Sequence, residues 1–320
     1  MGSSPHEPPQ RHLVRPRRSN QIDLRTRNLQ WGAVAVGLVV LAAFLIDSSG
    51  LLTPIKAIIL GAVEGITEFL PVSSTGHLLV VQRLLGLGDG AGKTAADTYV
   101  VSIQIGAILA VVALYRQRLV QLARGVIGLD AEGRALLVRL AVAFVPAAVV
   151  GVLLGDTIKA QLFCVWPVVV AWIAGGVFLL WWSPPPGSIT ITTLTVRHAA
   201  IIGAAQILAL WPGVSRSLAT IVAALAIGAT MAASVEFSFL LGLATLSAAT
   251  FYDLGKNGST LVADYGIVTP VLGAVVAFLT AYVAARWLVA TLRTRPLAIF
   301  GRYRIGVALL VMVLLGVGAI

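Results

Sequence analysis

The sequence is poor in charged residues and contains one cysteine, and each shortage excludes a class of protein. Only 11% of its 320 residues are charged, whereas a soluble domain carries about 25%. Hydrophobic residues make up 58%, and the mean hydropathy is +0.94. This composition excludes a soluble protein with a large core and is typical of a polytopic membrane protein. The single cysteine, Cys164, excludes an internal disulfide and a cysteine-based metal cluster.

Basic residues outnumber acidic ones, which gives the chain a net charge of +10. The arginines are clustered in the first 27 residues, around residues 116–139 and between residues 286 and 304. Basic loops beside apolar spans follow the positive-inside rule and face anionic lipid. We therefore predict the bilayer as a partner and exclude nucleic acid, the other usual partner of a basic protein.

The N-terminal part divides into a tail and one helix. Residues 1–30 are rich in Pro and Arg without apolar periodicity, which predicts a disordered cytoplasmic tail. Residues 31–50 contain an apolar run that lacks an A-x-A-like cleavage site, so we predict a retained, extra transmembrane helix. Residues 51–320 then form the membrane-embedded functional domain, with an all-α fold.

Seven apolar segments approach the length of about 20 residues that crosses a hydrocarbon core of about 30 Å. The first, residues 31–47, is the extra helix, and the other six form the core of the domain. These six predicted spans are 98–115, 136–154, 164–182, 237–254, 267–288 and 304–320.

Two further apolar stretches, residues 53–85 and 199–232, are broken near the middle by Pro71 and Pro212. Proline removes a backbone donor and clashes with the preceding turn. Irregular backbone at membrane depth is tolerated only when it is buried in protein or lines a wet cavity. We therefore predict two re-entrant helix hairpins, each of which enters and leaves the membrane on one side.

The distribution of basic residues supports this topology. With the tail in the cytoplasm and both hairpins re-entrant, every dense basic loop faces the cytoplasm. The last of these loops contains Arg293, Arg295, Arg302 and Arg304. The two prolines are 141 residues apart, and a serine-containing triplet follows each of them. The hairpins then enter from opposite sides, as in an inverted repeat whose broken helices meet at a central site.

The first hairpin contains the stretch EGITEFLPVSSTGH, residues 64–77, which is polar for a membrane segment. Glu64 and Glu68 share one helix face, so a divalent cation, a guanidinium or a shared proton must offset their repulsion. His77 follows Ser74 by three residues, and a neutral imidazole there could take the hydroxyl proton. The alternatives are a structural core histidine and a structural glutamate–arginine pair.

Three hydroxyl residues, Ser73, Ser74 and Thr75, follow Pro71 and can cap the helix that restarts there. The N-terminus of a helix has free N–H donors and a positive dipole end, and it is therefore a ready anion site. Capping and anion binding are compatible, so this segment predicts an anion site beside the glutamates.

The second hairpin contains PGVSRSLAT, residues 212–220. Ser215 and Ser217 supply hydroxyl groups, and Arg216 supplies a planar cation that can bind phosphate through two hydrogen bonds. The alternative for Arg216 is a structural pair with one of the glutamates. Together the hairpins suit phosphoryl chemistry, with carboxylates that hold Mg²⁺ or Ca²⁺, an arginine that neutralises phosphate, and a serine or water that attacks in line. The surrounding lipid predicts a substrate with a long apolar tail.

A second functional class fits the same fold. A transporter or flippase can use opposed hairpins to move an anionic lipid or solute. Transport requires charge complementarity alone, so the Ser74–His77 pair beside two glutamates favours an enzyme.

Five stretches resemble the integral-membrane undecaprenyl-pyrophosphate phosphatase family associated with bacitracin resistance. They are EGITEFLPVSSTGH, SIQIGAILAVV, PGVSRSLAT, EFSFLLG and YRI at residues 303–305. The resemblance implies that the domain removes one phosphate from undecaprenyl pyrophosphate and regenerates the carrier lipid for peptidoglycan and other cell-wall polymers. It also implies six core spans with two opposed hairpins, in the bacterial inner membrane, with a site that opens to the extracytoplasmic side. The implied partner is a polyprenyl pyrophosphate lipid, and a homodimer is an open alternative to a monomer.

The resemblance also implies roles for single residues. Glu64 and Glu68 correspond to the family's acidic pair, which binds metal or acts in acid–base catalysis. Ser74 resembles the proposed nucleophile and His77 its activating base, although direct attack by water is left open. The implied substrate-binding residues are Ser73, Thr75, Ser215, Arg216 and Ser217, and Arg216 also counts as catalytic. One departure is Leu218, where the family usually has glycine, which predicts altered hairpin geometry near Arg216.

Overall fold

The computed structural model describes residues 52–87 and 93–320, which form an all-helical protein. Within these ranges, extended pairing is limited to one isolated bridge between Ile189 and Ala229. The eleven α-helices of the described ranges are α1 Pro54–Thr67, α2 Ser74–Leu84, α3 Lys93–Leu114, α4 Arg116–Val126, α5 Ala131–Leu162, α6 Val165–Trp181, α7 Val196–Gln206, α8 Arg216–Ala226, α9 Met231–Tyr265, α10 Val268–Thr291 and α11 Ala298–Gly316, and a 3₁₀ helix at Ile207–Leu210 follows α7. The predicted tail, residues 1–30, and the predicted extra helix, residues 31–50, lie outside the described residues.

Five of these helices are long and apolar enough to cross a membrane, namely α3, α5, α9, α10 and α11. The shorter apolar helix α6 has 17 residues and coincides with the predicted span 164–182. Each of the six predicted core spans overlaps one of these helices. The chain is therefore an all-α polytopic membrane protein, as its composition predicts.

The predicted boundaries differ from the observed helices by five residues or more for four of the spans, and α3 begins at Lys93 rather than at residue 98. α5 has 32 residues and α9 has 35, because both helices continue through polar stretches, GDTIKAQ and DLGKNGSTLVADY, that hydropathy does not include in a span. α11 begins at Ala298 rather than at residue 304. Arg302 and Arg304 therefore lie inside a helix and not in a loop.

Each of the two broken stretches consists of short helices on either side of a break. Residues 68–73 separate α1 from α2, and residues 211–215 separate the 3₁₀ helix from α8. Pro71 and Pro212 lie inside these breaks. The helix–break–helix prediction is thus confirmed for both stretches.

Long helices pack against both broken stretches. α10 packs against α1 and α3, α5 against α7, and α9 against α8. At Gly61 of α1, an added Cβ atom would lie 2.4 Å from the carbonyl oxygen of Gly273 in α10. Glycine is required at this contact, because a larger residue would push the two helices apart and move the first break.

The basic region at residues 116–139 folds as α4 and the start of α5. The carboxylate of Asp130 caps α5 by accepting a hydrogen bond from the Gly133 amide at 2.8 Å. This hydrogen bond lowers the pKa of the Asp130 carboxyl below its usual value. Arg118 forms an ion pair with Glu236 of α9 at 2.6 Å, which ties this region to a long helix.

Candidate active site

The two breaks share one backbone conformation. Ser73 has a φ of +73° and Ser215 has a φ of +77°, and within the described ranges no other residue except glycine has a positive φ. Such a conformation costs about 1–3 kcal/mol for a residue with a side chain and is concentrated at functional sites. The side chain of each serine caps the helix that follows it. Ser73 Oγ accepts from the Gly76 amide at 3.4 Å, and Ser215 Oγ accepts from the Leu218 amide at 3.2 Å.

The two breaks also contact each other. The Gly213 amide of the second break donates to Ser73 Oγ of the first at 3.1 Å. In the other direction, Ser217 Oγ donates to the carbonyl of Leu70 at 2.9 Å and lies 3.0 Å from Ser215 Oγ. The N-termini of α2 and α8 are therefore adjacent. Because each terminus has free N–H groups and a partial positive charge, their meeting point suits an anion.

Glu68 connects the predicted halves of the site. Its Oε2 accepts a hydrogen bond from Ser74 Oγ, and its Oε1 accepts one from Arg216 Nη2 at 2.9 Å. Ser74 is the first residue of α2 and Arg216 is the first residue of α8. The side chains of the ion pair are only 6% exposed for Glu68 and 12% for Arg216, so salt screens this pair weakly. One carboxylate thus orients a hydroxyl group and a cation together.

Arg216 occupies a space that a glycine of α9 leaves open. Its Nη1 donates to the carbonyl of Ser238 at 3.0 Å. A Cβ atom added at Gly242 would lie 2.1 Å from that Nη1 and 2.4 Å from Cζ. The sequence does not predict this contact of Gly242, because nothing within EFSFLLG marks the glycine as a neighbour of an arginine 26 positions earlier.

Glu64 lies one turn before Glu68 on α1 and is 0% exposed. Within the described residues, neither of its carboxylate oxygens has a hydrogen-bond partner. A buried carboxylate without a partner requires a cation or a proton. Glu64 is therefore either protonated or a candidate ligand for a cation.

The donor set fits a hard divalent cation only in part. Carboxylate oxygens are the ligands that Mg²⁺ and Ca²⁺ prefer, and Glu64 offers two of them free. The part of the chain that the structure describes contains no group of three or more His, Cys, Asp or Glu residues that could surround a metal. The residues fit a cation that takes its remaining ligands from water and substrate, and they do not fit a closed protein site.

The two ring nitrogens of His77 form hydrogen bonds with Ser73 and Tyr303. Its Nδ1 lies 2.7 Å from the carbonyl oxygen of Ser73, and since a carbonyl only accepts, Nδ1 carries the proton. In the neutral ring Nε2 is then the basic nitrogen, and it accepts from the hydroxyl of Tyr303 at 2.9 Å. The ring also packs against Trp172, with ring centroids 4.8 Å apart. The structure therefore pairs Ser74 with Glu68 and pairs His77 with Tyr303.

The remaining predicted residues are on the first turns of the two helices. Thr75 is the second residue of α2 and is partly buried. Leu218 is the third residue of α8, lies in the apolar core and has no positive φ. The unusual backbone falls on Ser215 instead, so Leu218 does not adopt a conformation that favours glycine.

Arg304 lies in a different environment from the one that its sequence context predicts. The clustering of basic residues predicts a cytoplasmic loop, whereas Arg304 is 1% exposed and lies on the part of α11 that reaches both breaks. Tyr303 and Trp172 were also missed. The stretch YRI is part of the family resemblance, but nothing in it predicts a contact with a distant helix break. Arg304, for example, donates to the carbonyl of Val214, which lies 90 positions earlier.

The assembled site contains the parts that phosphoryl transfer requires. It has a serine hydroxyl hydrogen-bonded to a carboxylate, an arginine that forms an ion pair with the same carboxylate, and two helix N-termini that can bind phosphate oxygens. Catalysis of this reaction depends on positioning and electrostatic stabilisation, and a buried, preorganised cluster of this kind provides both.

Comparison with known proteins agrees with a site for phosphoryl transfer. The chain matches the family model described as "Bacitracin resistance protein BacA" over residues 57–310. The undecaprenyl-diphosphatase of Sorangium cellulosum is 45% identical over 263 residues, which cover 80% of this chain and 84% of the relative. That of Rhodopseudomonas palustris is 42% identical over 267 residues, which cover 82% and 98%. Undecaprenyl-diphosphatase 2 of Rhodospirillum rubrum is 44% identical over 261 residues, which cover 81% and 93%. The family model spans most of the chain, so the chain belongs to the BacA bacitracin resistance family.

Proposed function

We propose that the chain hydrolyses undecaprenyl pyrophosphate to undecaprenyl phosphate and inorganic phosphate. In this role it recycles the carrier lipid for peptidoglycan and other cell-wall polymers, and confers resistance to bacitracin. The single observation that carries the proposal is the contact of Glu68 with both Ser74 and Arg216. The names of the relatives support the substrate, and the apolar surroundings of the site suit its prenyl tail.

In the proposed reaction, Arg216 and the N-termini of α2 and α8 bind the pyrophosphate oxygens. Ser74 Oγ attacks the terminal phosphorus while its proton passes to Glu68, and the bond from that phosphorus to the bridging oxygen breaks. Undecaprenyl phosphate leaves with that oxygen. Water then attacks the phosphoserine, inorganic phosphate is released, and Ser74 regains its hydroxyl proton. The Ser74–Glu68 hydrogen bond supports this route, because the proton acceptor is already in place.

Direct attack by water is the competing route, with Ser74 as an orienting group. Acid quenching of the enzyme after mixing with terminally labelled substrate separates the two. Covalent label on Ser74 supports the phosphoserine route. A fully active Ser74→Ala variant would exclude that route.

His77 is proposed as a second acid–base group rather than as the first acceptor of the Ser74 proton. Its basic Nε2 faces the hydroxyl of Tyr303. If water or a phosphate oxygen took the place of this hydroxyl, Nε2 could donate a hydrogen bond to it only when the imidazole is protonated. His77 is thus suited to protonate released phosphate or to take a proton from the water of the second step.

We also propose that Mg²⁺ or Ca²⁺ binds at Glu64, with Glu68 beside it. When bound, the ion would neutralise pyrophosphate charge that Arg216 alone leaves uncompensated. The two unpartnered, buried oxygens of Glu64 support this assignment.

Replacing Glu64 by Gln is expected to raise the Mg²⁺ concentration for half-maximal phosphate release about tenfold or more, since even the loss of a residue that supports a metal ligand commonly costs this much affinity. The measurement is a Mg²⁺ titration of phosphate release by purified protein in detergent. Asp253→Asn is the control, because Asp253 contacts Asn257 on α9 and no residue of the site. An unchanged Mg²⁺ requirement in Glu64→Gln would remove the ion from this residue.

The proposed arrangement in the membrane is that of two re-entrant hairpins that enter from opposite sides of the bacterial inner membrane. The site then opens to the extracytoplasmic side. Single cysteines in a Cys164→Ser background test this arrangement. Thr94→Cys should react with an impermeant maleimide in intact spheroplasts, and Leu129→Cys should react only after permeabilisation. The reverse result would invert the topology.

The activity itself is tested with purified protein, undecaprenyl pyrophosphate and Mg²⁺ or Ca²⁺, where release of phosphate is expected. Lack of release with either ion would refute the hydrolase. A lipid transporter is the alternative that opposed hairpins allow, and it predicts movement of the lipid across liposomes without release of phosphate. The Ser74–Glu68 contact favours the hydrolase, since transport does not need a hydroxyl bonded to a base. The homodimer is tested separately, by comparing the molar mass of the protein in its detergent complex with that of one chain and of two.

A further inference from the structure

Arg304 is a buried cation whose partners are all backbone carbonyls. Its Nη1 donates to Pro71 at 3.3 Å and to Val214 at 3.2 Å. Its Nη2 donates to Ala171 and Gly213, both at 2.8 Å. Its Nε donates to Trp172 at 3.5 Å. A guanidinium has five N–H groups, so each of them has an acceptor and none is left for a phosphate.

These acceptors belong to the irregular segments of the site. Pro71 lies in the first break, and Gly213 and Val214 lie in the second. A break in a helix leaves carbonyl groups without their usual amide partners, and such groups need donors when they lie at membrane depth. Arg304 supplies donors to both breaks from one rigid, planar group.

The geometry connects Arg304 to the chemistry without direct contact. Pro71 precedes Ser74 by three residues, and Gly213 precedes Arg216 by three. The amide of the same Gly213 donates to Ser73 Oγ at 3.1 Å. A change in how Arg304 binds the two breaks would therefore reach Ser74 and Arg216 through three residues of backbone each.

The space for Arg304 comes from a second helix. A Cβ atom added at Gly175 of α6 would lie 2.5 Å from Nη2 and 2.9 Å from Cζ of Arg304. α6 also supplies the carbonyls of residues 171 and 172. Gly175 leaves room for this guanidinium, as Gly242 does for Arg216.

We propose that Arg304 is a positioning residue for the phosphatase reaction, which holds the two helix breaks at the separation that Ser74 and Arg216 require. This inference rests on the proposed function. Arg304, the second buried arginine of the site, then binds backbone carbonyls and does not bind the pyrophosphate. A lysine cannot replace it, because an ammonium has three donors and no fork.

The test compares kcat and KM of Arg304→Lys and Arg304→Met with wild type. The expected result is a fall in kcat of about tenfold or more, since small displacements of reacting groups cost rates of this order, with KM changed less than about threefold. Arg302→Met, an exposed arginine two residues away on α11, loses the same charge and should retain wild-type kinetics. A large rise in KM with unchanged kcat would instead make Arg304 a substrate contact and overturn the proposal.

A double-mutant cycle with Ser73→Ala gives a readout that a purely structural role would not move. In wild type, Ser73→Ala removes one contact between the breaks, the hydrogen bond from the Gly213 amide to Ser73 Oγ. In Arg304→Met that contact is already lost, so the second substitution should lower kcat less than it does alone. Independent, multiplicative losses would overturn the proposal.

Gly175→Ala covers the case in which the Arg304 variants do not fold. It keeps the arginine and displaces only its tip, so kcat should fall at least about fivefold in a folded protein. Gly155→Ala, where a Cβ atom meets open space, is the control. Wild-type kcat in folded Gly175→Ala overturns the positioning role while the phosphatase assignment stands. Lack of phosphate release by the wild type would instead refute the phosphatase assignment on which this inference rests.

Discussion

Replacing Glu68 by Gln is expected to lower phosphate release from undecaprenyl pyrophosphate about a hundredfold or more, which is the usual contribution of a positioned acid–base group. The amide keeps the shape of the side chain and removes its charge. Ser74 then loses the acceptor of its proton, and Arg216 loses the anion that orients it. Both the nucleophile and the phosphate-binding cation are affected by one substitution, so the loss should appear in kcat as well as in kcat/KM.

Glu236→Gln is the matched control for this variant. Glu236 also forms an ion pair with an arginine, Arg118, at 2.6 Å, but the pair lies outside the cluster around Ser74. Loss of an arginine–glutamate pair as such should therefore leave phosphate release within a few fold of wild type. If Glu68→Gln retained near-wild-type kcat in a folded protein, Glu68 would have no place in the chemistry.

Gly242→Ala is expected to have a comparable effect, about a hundredfold, because displacement of a catalytic group by about 1 Å can cost this much. The added methyl group would overlap the Arg216 guanidinium. The tip of a flexible side chain can move away without disturbing the helices, so the protein should fold. Arg216 would then lose its hydrogen bonds to Glu68 and Ser238.

A second substitution in the same helix separates this effect from a change in stability. Gly255 lies on α9 with no atom near its Cβ position. Both Gly→Ala changes should favour the helix, by about 1 kcal/mol each. Loss of the buried Glu68–Arg216 pair offsets this gain in Gly242→Ala, so thermal unfolding serves to show that both variants are folded at the assay temperature. Only Gly242→Ala should then lose activity. Equal activity in the two variants would mean that Arg216 does not need its observed position.

The sequence predicts the parts of the site that are local. Proline beside a hydroxyl cluster in an apolar run predicts a helix break, and the structure has breaks at Pro71 and Pro212. Spacing places Glu64 and Glu68 on one face. The charge of Arg216 in an apolar segment predicts a buried partner, and Glu68 was one of the candidates that the sequence offered.

The parts that the sequence does not predict arise from packing between distant helices. Arg304 looks like one more basic residue of a cytoplasmic loop until α11 places it between the breaks, 233 positions from Pro71. His77 is three residues from Ser74, yet Tyr303 orients its basic nitrogen from 226 positions away. The role of Gly242 depends on which side chain lies opposite, and composition and periodicity carry no information about that.

We infer that the two hairpins form one site through the Glu68–Arg216 pair, and a double-mutant cycle on phosphate release is the sharpest test of this pairing. Arg216→Ala alone should lower kcat/KM at least about tenfold, as should Glu68→Ala. If the pair acts as a unit, kcat/KM of the double variant should be little lower than kcat/KM of the less active single variant. Losses that multiply in the double variant would mean that the two residues act separately, and would contradict a single site built from both hairpins.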